Sequence, residues 1–299
     1  MVATLPPDQQ LRLKQTLAQW QQWHCPLPLT ARPKVETLLT GGFSNISVKV
    51  CDSQNNAYVV RLNEVNQQSH GINRHCEWRA MQLASAAGIA PNPCYFNPKL
   101  DVLVSQYLHG AKKPAFSPRP IAALLRAIHK LPAIHCRLDL QQRIVHYQQQ
   151  VQRQARAYWQ QLKKFQAVIV HTLAIERSSP TRHVLCHNDL LNANRLYSNG
   201  LLFAIDWEYC AMGSPWFDLA IICHGDQLSQ QDTSSLLTAY LQRSPEDEVY
   251  YQLARQGLLY RYIELLWHAC VNPLAINWAQ QLQTFGTLAE DRKALGLSG

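Results

Sequence analysis

The stretch VLCHNDLLNANRLYSNGLLFAIDWEY, residues 184–209, carries His187, Asp189, Asn194, Asp206 and Glu208 in two acidic clusters, each behind a short apolar run. Either the clusters face one phosphoryl-transfer site, or they are two strand ends that happen to bear carboxylates. Transfer of a phosphoryl group to a hydroxyl needs a carboxylate near the acceptor proton and oxygen ligands on a metal. Asp189 and Asn194 share one short loop and supply both, the Asp aimed at the acceptor and the Asn side-chain oxygen at a divalent ion. Asp206, at the end of LLFAI, suits Mg²⁺, which takes one or two protein carboxylates and otherwise phosphate oxygens. The plainer reading of each acid is a turn-capping side chain. Two such motifs in this order, each after a predicted strand, favour the site. Glu208 is read as a second metal contact or a contact to a substrate cation.

Outward from this stretch the chain changes character once. Residues KVETLL, GGFSN, ISVKVCD, QNN and AYVVRLN read as strand, turn, strand, turn, strand over about 34–62. A helix from Asp8 to about Trp23 precedes them. NRHCEWRAMQLASAAG is a predicted helix closed by Gly88, and CYFNPKLDVLVSQYL two strands around Asn97-Pro98. After His109-Gly110 helices dominate: one opened by Ser117-Pro118, a long Gln-rich segment over 137–175, and more from about Trp216 to the end. The expected organisation is therefore α+β, with a strand-rich N-terminal lobe (1–106) and a larger, mostly helical C-terminal lobe (107–299), joined near Gln106–Gly110.

Composition narrows the function. A chain of 299 residues, 47% hydrophobic, with eight Trp and twelve Tyr, forms a packed core rather than a disordered tail. The net charge of +8 is scattered, with no basic run of the kind that binds nucleic acid, and it favours an anionic ligand such as ATP. Nine cysteines occur without a CxxC pair; Cys136, Cys186, Cys210, Cys223 and Cys270 lie among apolar neighbours, so buried free thiols in a reducing compartment are expected. MVATLPPDQQLRLKQ lacks a continuous apolar core, and LLYRYIELLWHACV is interrupted by Arg261, Glu264 and His268. A cytoplasmic protein without membrane insertion is expected.

Two further features lie upstream. Gly41-Gly42-Phe43-Ser44-Asn45 falls between two predicted strands, where glycines let the backbone approach phosphates and Ser44 and Asn45 add donors; a plain hairpin turn is the alternative. Arg61 ends AYVVR and Glu77 opens the following helix, the order of a strand cation held by a helix carboxylate, although an exposed surface pair would look the same.

These four features, in this order, resemble the choline/ethanolamine kinase branch of the aminoglycoside phosphotransferase superfamily, whose members have a protein-kinase-like fold; thiamine kinases are close relatives. CHNDLLNAN resembles its CHNDL-x3-N loop, IDWEYCAMGSPWFDLA its IDxEY…P-x2-DLA segment, and LLTGGFSNISVKV with YVVRL its glycine turn and phosphate-binding strand. The likeness runs over about residues 38–225 and is most specific over 186–220. Here the glycine turn is short and Asn-Ala-Asn replaces the more usual Gly before the Asn. The absence of an APE-like segment counts against a protein kinase. The resemblance implies ATP and Mg²⁺ as cofactors, Asp189 as catalytic base, and Asn194 and Asp206 as metal ligands. It further implies Arg61 on the ATP phosphates with Glu77 positioning it, Gly41, Gly42, Ser44 and Asn45 over those phosphates, and Gln106, Tyr107 and Leu108 beside adenine. His187 and Asp218 are expected to brace the loop rather than react.

The acceptor is expected to be a small cationic alcohol: choline first, then thiamine or ethanolamine. Fixed cations are held by aromatic faces and a carboxylate. Trp216, Tyr260, Trp267 and Trp278, with Glu208, Asp226 and Glu264, are the candidates. Tyr260, Glu264 and Trp267 recur on one helix face; such a stripe is more often core, but Glu264 is costly to bury unpaired. A polycationic aminoglycoside fits a basic chain with few C-terminal acids less well. From a different class, a non-catalytic nucleotide-binding module of the same fold is the rival, against which the joint presence of Asp189, Asn194, Asp206 and Arg61 argues.

Overall fold

The computed structural model describes residues 5–39, 45–63, 71–179, 181–291 and 295. Three alternating segments, β1 (Lys34–Leu39), β2 (Asn45–Cys51) and β3 (Ala57–Asn63), form an antiparallel meander, and β5 (Val102–Gln106) and β4 (Pro93–Asn97) extend it to a five-stranded sheet of order β1-β2-β3-β5-β4. The period of two decides which residues serve the core. Val60 and Leu62 are buried with Leu13 and Leu17 of α1 (Pro7–Ala18), whereas Arg61 points to the other face. Arg61 is paired across the ladder to Ser47 on one side and Leu103 on the other, so its origin is fixed by two strands.

Helix α2 (Arg74–Ala86) lies on that other face. It starts where the Asn73 side chain accepts from the His75 and Cys76 N–H groups at 3.1 Å, and the chain turns away at Gly88, φ +75°. Its buried side offers Ala80, Met81 and Ala84 to the core and, one turn earlier, Glu77 to Arg61.

The C-terminal part is helical apart from two short ribbons. Helix α3 (Pro118–His129) begins as expected after Ser117. The Gln-rich segment differs from a single long helix: it breaks into α4 (Leu140–Gln154), α5 (Arg156–Leu162) and α6 (Gln166–Ser178), with a bend at Ala155 and a short turn over Lys163–Phe165. The bends keep Tyr147, Trp159, Phe165 and Ile169 in one apolar cluster with α9 (Asp247–Val271), which a straight helix would leave. Helices α7 (Pro215–Gly225), α8 (Gln230–Leu241) and α10 (Trp278–Glu290) complete the packing.

The two predicted short strands of the opening stretch exist but do not pair with each other. β6 (Val184–Cys186) pairs with β9 (Ala211–Gly213), and β8 (Leu201–Ala204) pairs with β7 (Arg195–Ser198), a strand the alternation did not reveal. β7 and β8 are joined by Asn199-Gly200, both at positive φ, the backbone that a tight hairpin requires. Residues 187–194 and 205–210 are thus adjoining loops between ribbons.

Among the cysteines, Cys136 is not a free thiol: it is bonded to Cys76 on α2, while Cys186, Cys210, Cys223 and Cys270 are free. The partners are 60 residues apart and meet only because α2 packs over the segment after α3, which no sequence spacing records. Among the described residues no helix is long and apolar enough to cross a membrane.

Candidate active site

Asp189 sits on the loop between β6 and β7, and two acids at opposite ends of α7, buried Asp218 and half-buried Asp226, brace that loop. Asp218, on the first turn of α7, accepts from the backbone N–H of His187 at 2.9 Å and of Asn188 at 2.6 Å, and its Oδ2 lies 3.1 Å from His129 Nε2. Asn188 is held at φ +60°, and its side-chain amide donates to the Tyr209 carbonyl at 3.0 Å. His187 is wholly buried against Trp207, and its Nε2 donates to the Ile205 carbonyl at 3.1 Å. Burial lowers its pKa to about 4, so the ring is neutral and its one N–H is occupied; it ties the two loops together and is not placed to shuttle a proton. The second brace is Asp226, which accepts from the Asn192 N–H at 2.8 Å and ion-pairs with buried Arg195.

Within this frame Asn194 donates to the Asp189 carbonyl at 2.8 Å and to its Oδ2 at 2.7 Å. Both donor contacts use Nδ2, which turns the Asn194 side-chain oxygen away as a neutral acceptor. Burial, with the nearby Asp206 and Glu208 charges, pushes the Asp189 carboxyl well above its ordinary range.

The second cluster is held from the sheet side. Asp206 has φ +63°, and this bend brings Asp206 and Glu208 both onto the cavity instead of alternating. Arg61 Nη1 meets Asp206 Oδ1 at 2.6 Å, its Nη2 meets Glu77, and its Nε donates to Asn63 at 2.9 Å. Arg74 joins Glu77 (2.8 Å) to Glu208 (3.2 Å), and Asn45 donates to Glu208 at 2.9 Å. Burial opposes the Arg61 charge, but Glu77, Asp206 and Glu208 outweigh it and raise its pKa. Asp206 is raised to about 7, chiefly by burial, with Arg61 opposing and Glu208 and Glu77 adding to the rise.

Three carboxylates, Glu77, Asp206 and Glu208, therefore share two guanidinium groups, and Asp189 adds a fourth acid nearby. The excess negative charge, all on oxygen ligands, fits a hard divalent cation at Asp206 and the Asn194 oxygen. Buried Arg74 Nη2 has no hydrogen-bond partner among the described residues and fits an anionic oxygen arriving beside it.

A cavity of about 290 Å³ opens from Asp189 and Glu208 into the helices. It contains three of the acceptor residues expected from sequence besides Glu208, namely Tyr260, Glu264 and Trp267. Trp216, Asp226 and Trp278 are elsewhere. Trp216 packs on Tyr240 in the core beside α8. Asp226 is engaged with Arg195 as described, and Trp278 stacks edge-on against Tyr158 and donates to Gln161 at 3.0 Å. Glu264 is itself paired, with Arg261 and with Tyr260 at 3.3 Å, and burial still raises its pKa. Sequence reasoning missed Tyr147, Tyr209, Phe217 and Arg143, which line the same cavity, and Arg74. Only Arg74 left a signal, its spacing of three from Glu77 on one helix face.

At the expected adenine side, the Gln106 N–H donates to Asn92 (2.8 Å) and the Tyr107 N–H to Ala57 (2.9 Å), so those two donors are used by the sheet. The Tyr107 ring carries Lys49 Nζ 4.6 Å from its centroid. Gly41, Gly42 and Ser44 lie outside the described residues.

A five-stranded antiparallel sheet with a helix on each face, set over a helical part that carries an Asp…Asn loop and a bent Asp, is the protein-kinase-like arrangement. The chain belongs to the phosphotransferase enzyme family, whose profile matches residues 35–255. Protein LicA of Haemophilus influenzae is 36% identical over 103 residues, 34% of this chain and 36% of LicA, so the match spans about a third of that relative. Among solved structures, a choline/ethanolamine kinase family protein from Mesorhizobium loti superposes with a TM-score of 0.72 at 20% identity, covering 96% of this chain and all of the other. A structure of LicA in complex with AMP gives 0.70 at 18% identity, covering 93% of this chain and 96% of that one. At these identities the structural likeness speaks for the fold.

Proposed function

We propose that the protein is an ATP- and Mg²⁺-dependent kinase that phosphorylates the hydroxyl of a small cationic alcohol of the choline, ethanolamine or thiamine kind. The observation that carries this reading is the division between Asp189, which has no ion-pair partner among the described residues and lines the aromatic cavity, and Asp206, drawn to the Arg61–Glu77 pair. A bound magnesium nucleotide supplies the phosphoryl group and neutralises its developing charge. Asp189 would accept the proton of the acceptor hydroxyl as its oxygen bonds to the γ-phosphorus and the bond from that phosphorus to the β–γ bridging oxygen breaks, with ADP leaving. A cation at Asp206 and Asn194 and a cationic acceptor both favour its ionised form, against the burial that raises its pKa.

Residues 1–106 hold the nucleotide, with Arg61 and Asn45 toward its phosphates and the Gln106–Leu108 connection beside its base; residues 107–299 hold the acceptor. Tyr147, Tyr209, Tyr260 and Trp267 offer ring faces to an ammonium group, each worth about 0.5–2 kcal/mol. Glu208 sits between the two halves and supports the metal-facing side. The test is acceptor-dependent ADP release with choline, ethanolamine, thiamine and an aminoglycoside as a panel. Release with a small cationic alcohol supports the reading, and release with the aminoglycoside alone contradicts it. Nucleotide binding with no release for any acceptor favours a non-catalytic module.

A further inference from the structure

The acceptor cavity contains a charge that a purely cationic alcohol cannot use. Arg143, on α4, lines it together with Asp189, Glu208 and Glu264, and it is neither surface-exposed nor ion-paired with any described residue. The other charged groups of the cavity differ. Asp206, Glu208 and Glu264 each have an arginine within ion-pair distance, and Asp189 is matched to the acceptor hydroxyl under the proposed reaction. Among the described residues the Arg143 guanidinium has no hydrogen-bond or ion-pair partner, and it lies over the Tyr209 ring, 5.5 Å from the centroid. That contact covers a flat face. The N–H donors lie in the guanidinium plane, and no described acceptor meets them. Burial lowers the Arg143 pKa, and the carboxylate that opposes this is Asp189, beside the Tyr147 and Tyr209 phenols.

We propose that Arg143 is a specificity-determining residue, and that the acceptor carries an anionic oxygen group, such as a carboxylate, in addition to its cationic group and its hydroxyl. A planar fork with vacant donors is matched to a carboxylate or phosphate, which it grips with paired charge-assisted hydrogen bonds. The cavity has room for the extra group beside the aromatic faces. Choline and ethanolamine would instead place a second positive charge in the cavity with Arg143, and are disfavoured by it. The inference rests on the kinase reading of the site and replaces choline and ethanolamine, as the preferred acceptor, with a zwitterionic alcohol.

The experiment uses matched acceptors that differ by one carboxylate: ethanolamine against L-serine and L-homoserine, with choline alongside. Steady-state kinetics are measured on the full chain, on Arg143→Gln and on Arg143→Lys. The expected result is a KM at least tenfold lower for a carboxylate-bearing acceptor than for ethanolamine in the parent. Arg143→Gln should raise that KM at least tenfold while lowering the KM for choline and ethanolamine, and Arg143→Lys should restore part of the loss. A merely structural arginine would worsen every acceptor alike, and that outcome overturns the inference. So does a fall in kcat for all acceptors at constant KM, which would put Arg143 on the transferred phosphoryl group. If no acceptor is phosphorylated, the kinase reading fails separately. The inference is then decided by thermal stabilisation of the parent and Arg143→Gln by L-serine and ethanolamine: a serine shift lost in the variant upholds it, and equal or absent shifts overturn it.

Discussion

The two acid-bearing loops lie side by side but are held by different means. Loop 187–194 is braced from within the helical part, by Asp218 on two backbone N–H groups and by Asp226 on Asn192 and Arg195. Asp206 and Glu208 are held across the molecule, by Arg61 from β3, Arg74 from α2 and Asn45 from β2. Asp189 is therefore held by contacts within the helical part, whereas Asp206 and Glu208 take their ion-pair partners from the sheet and α2, with His187 tying the two loops together at the Ile205 carbonyl.

The largest expected effect breaks the first loop's chemistry. Asp189→Ala should lower kcat about 10²–10⁴-fold, the range for loss of a positioned general base, read by ADP release. Asp218→Ala removes the acceptor of two buried N–H groups, each about 1–3 kcal/mol if left unmade. It should cost about 2–5 kcal/mol in urea denaturation, together with activity. Arg74→Met acts on the other loop: it should raise the ATP KM about tenfold while leaving the acceptor KM within about twofold, since a buried charge pair supplies roughly 2–5 kcal/mol of local order. An equal rise in both constants would erase the contrast between the loops.

Smaller effects concern the packing beneath. Gly257 on α9 faces His224 of α7, and a methyl there would overlap the imidazole ring. Gly257→Ala should therefore destabilise by about 1–3 kcal/mol, visible as a lower thermal midpoint. Burial lowers the pKa of both His224 and His187 to about 4. Their neutral forms are favoured in the fold, so the unfolded chain binds more protons between the ordinary value of 6.5 and about 4. Stability is fully present above that window and falls as pH drops through it, by at most about 1.4 kcal/mol per pH unit per histidine. A denaturation midpoint that stays flat over the window would contradict the neutral assignment.

What the sequence disclosed follows from the range of the contacts involved. Asp189 and Asn194 share a loop, and Asp206 ends the next strand but one, so local pattern sufficed to find them. Arg61 and Glu77 were legible because Arg61 lies on a strand and Glu77 on the first turn of the next described helix. The helix-borne residues were not. Trp216 and Trp278 have the size and charge-free faces of cavity residues, yet the packing of α7 against α8 and of α10 against α5 turns them to Tyr240 and Tyr158. Arg143 sits among glutamines in a segment that reads as a solvated face, and only the bend at Ala155 and the docking of α4 on α9 bring it to the cavity. Cys76 and Cys136 are likewise joined by tertiary packing alone.

The division of labour between the two loops is best tested by magnesium-dependent ATP binding to Asp189→Ala and Asp206→Ala, measured by calorimetry on the full chain. The account predicts that Asp189→Ala binds within about twofold of the parent while Asp206→Ala binds at least about tenfold more weakly, one charge-assisted metal contact being worth 1.4 kcal/mol or more. Equal affinity in the two variants, or full turnover in either, would contradict it.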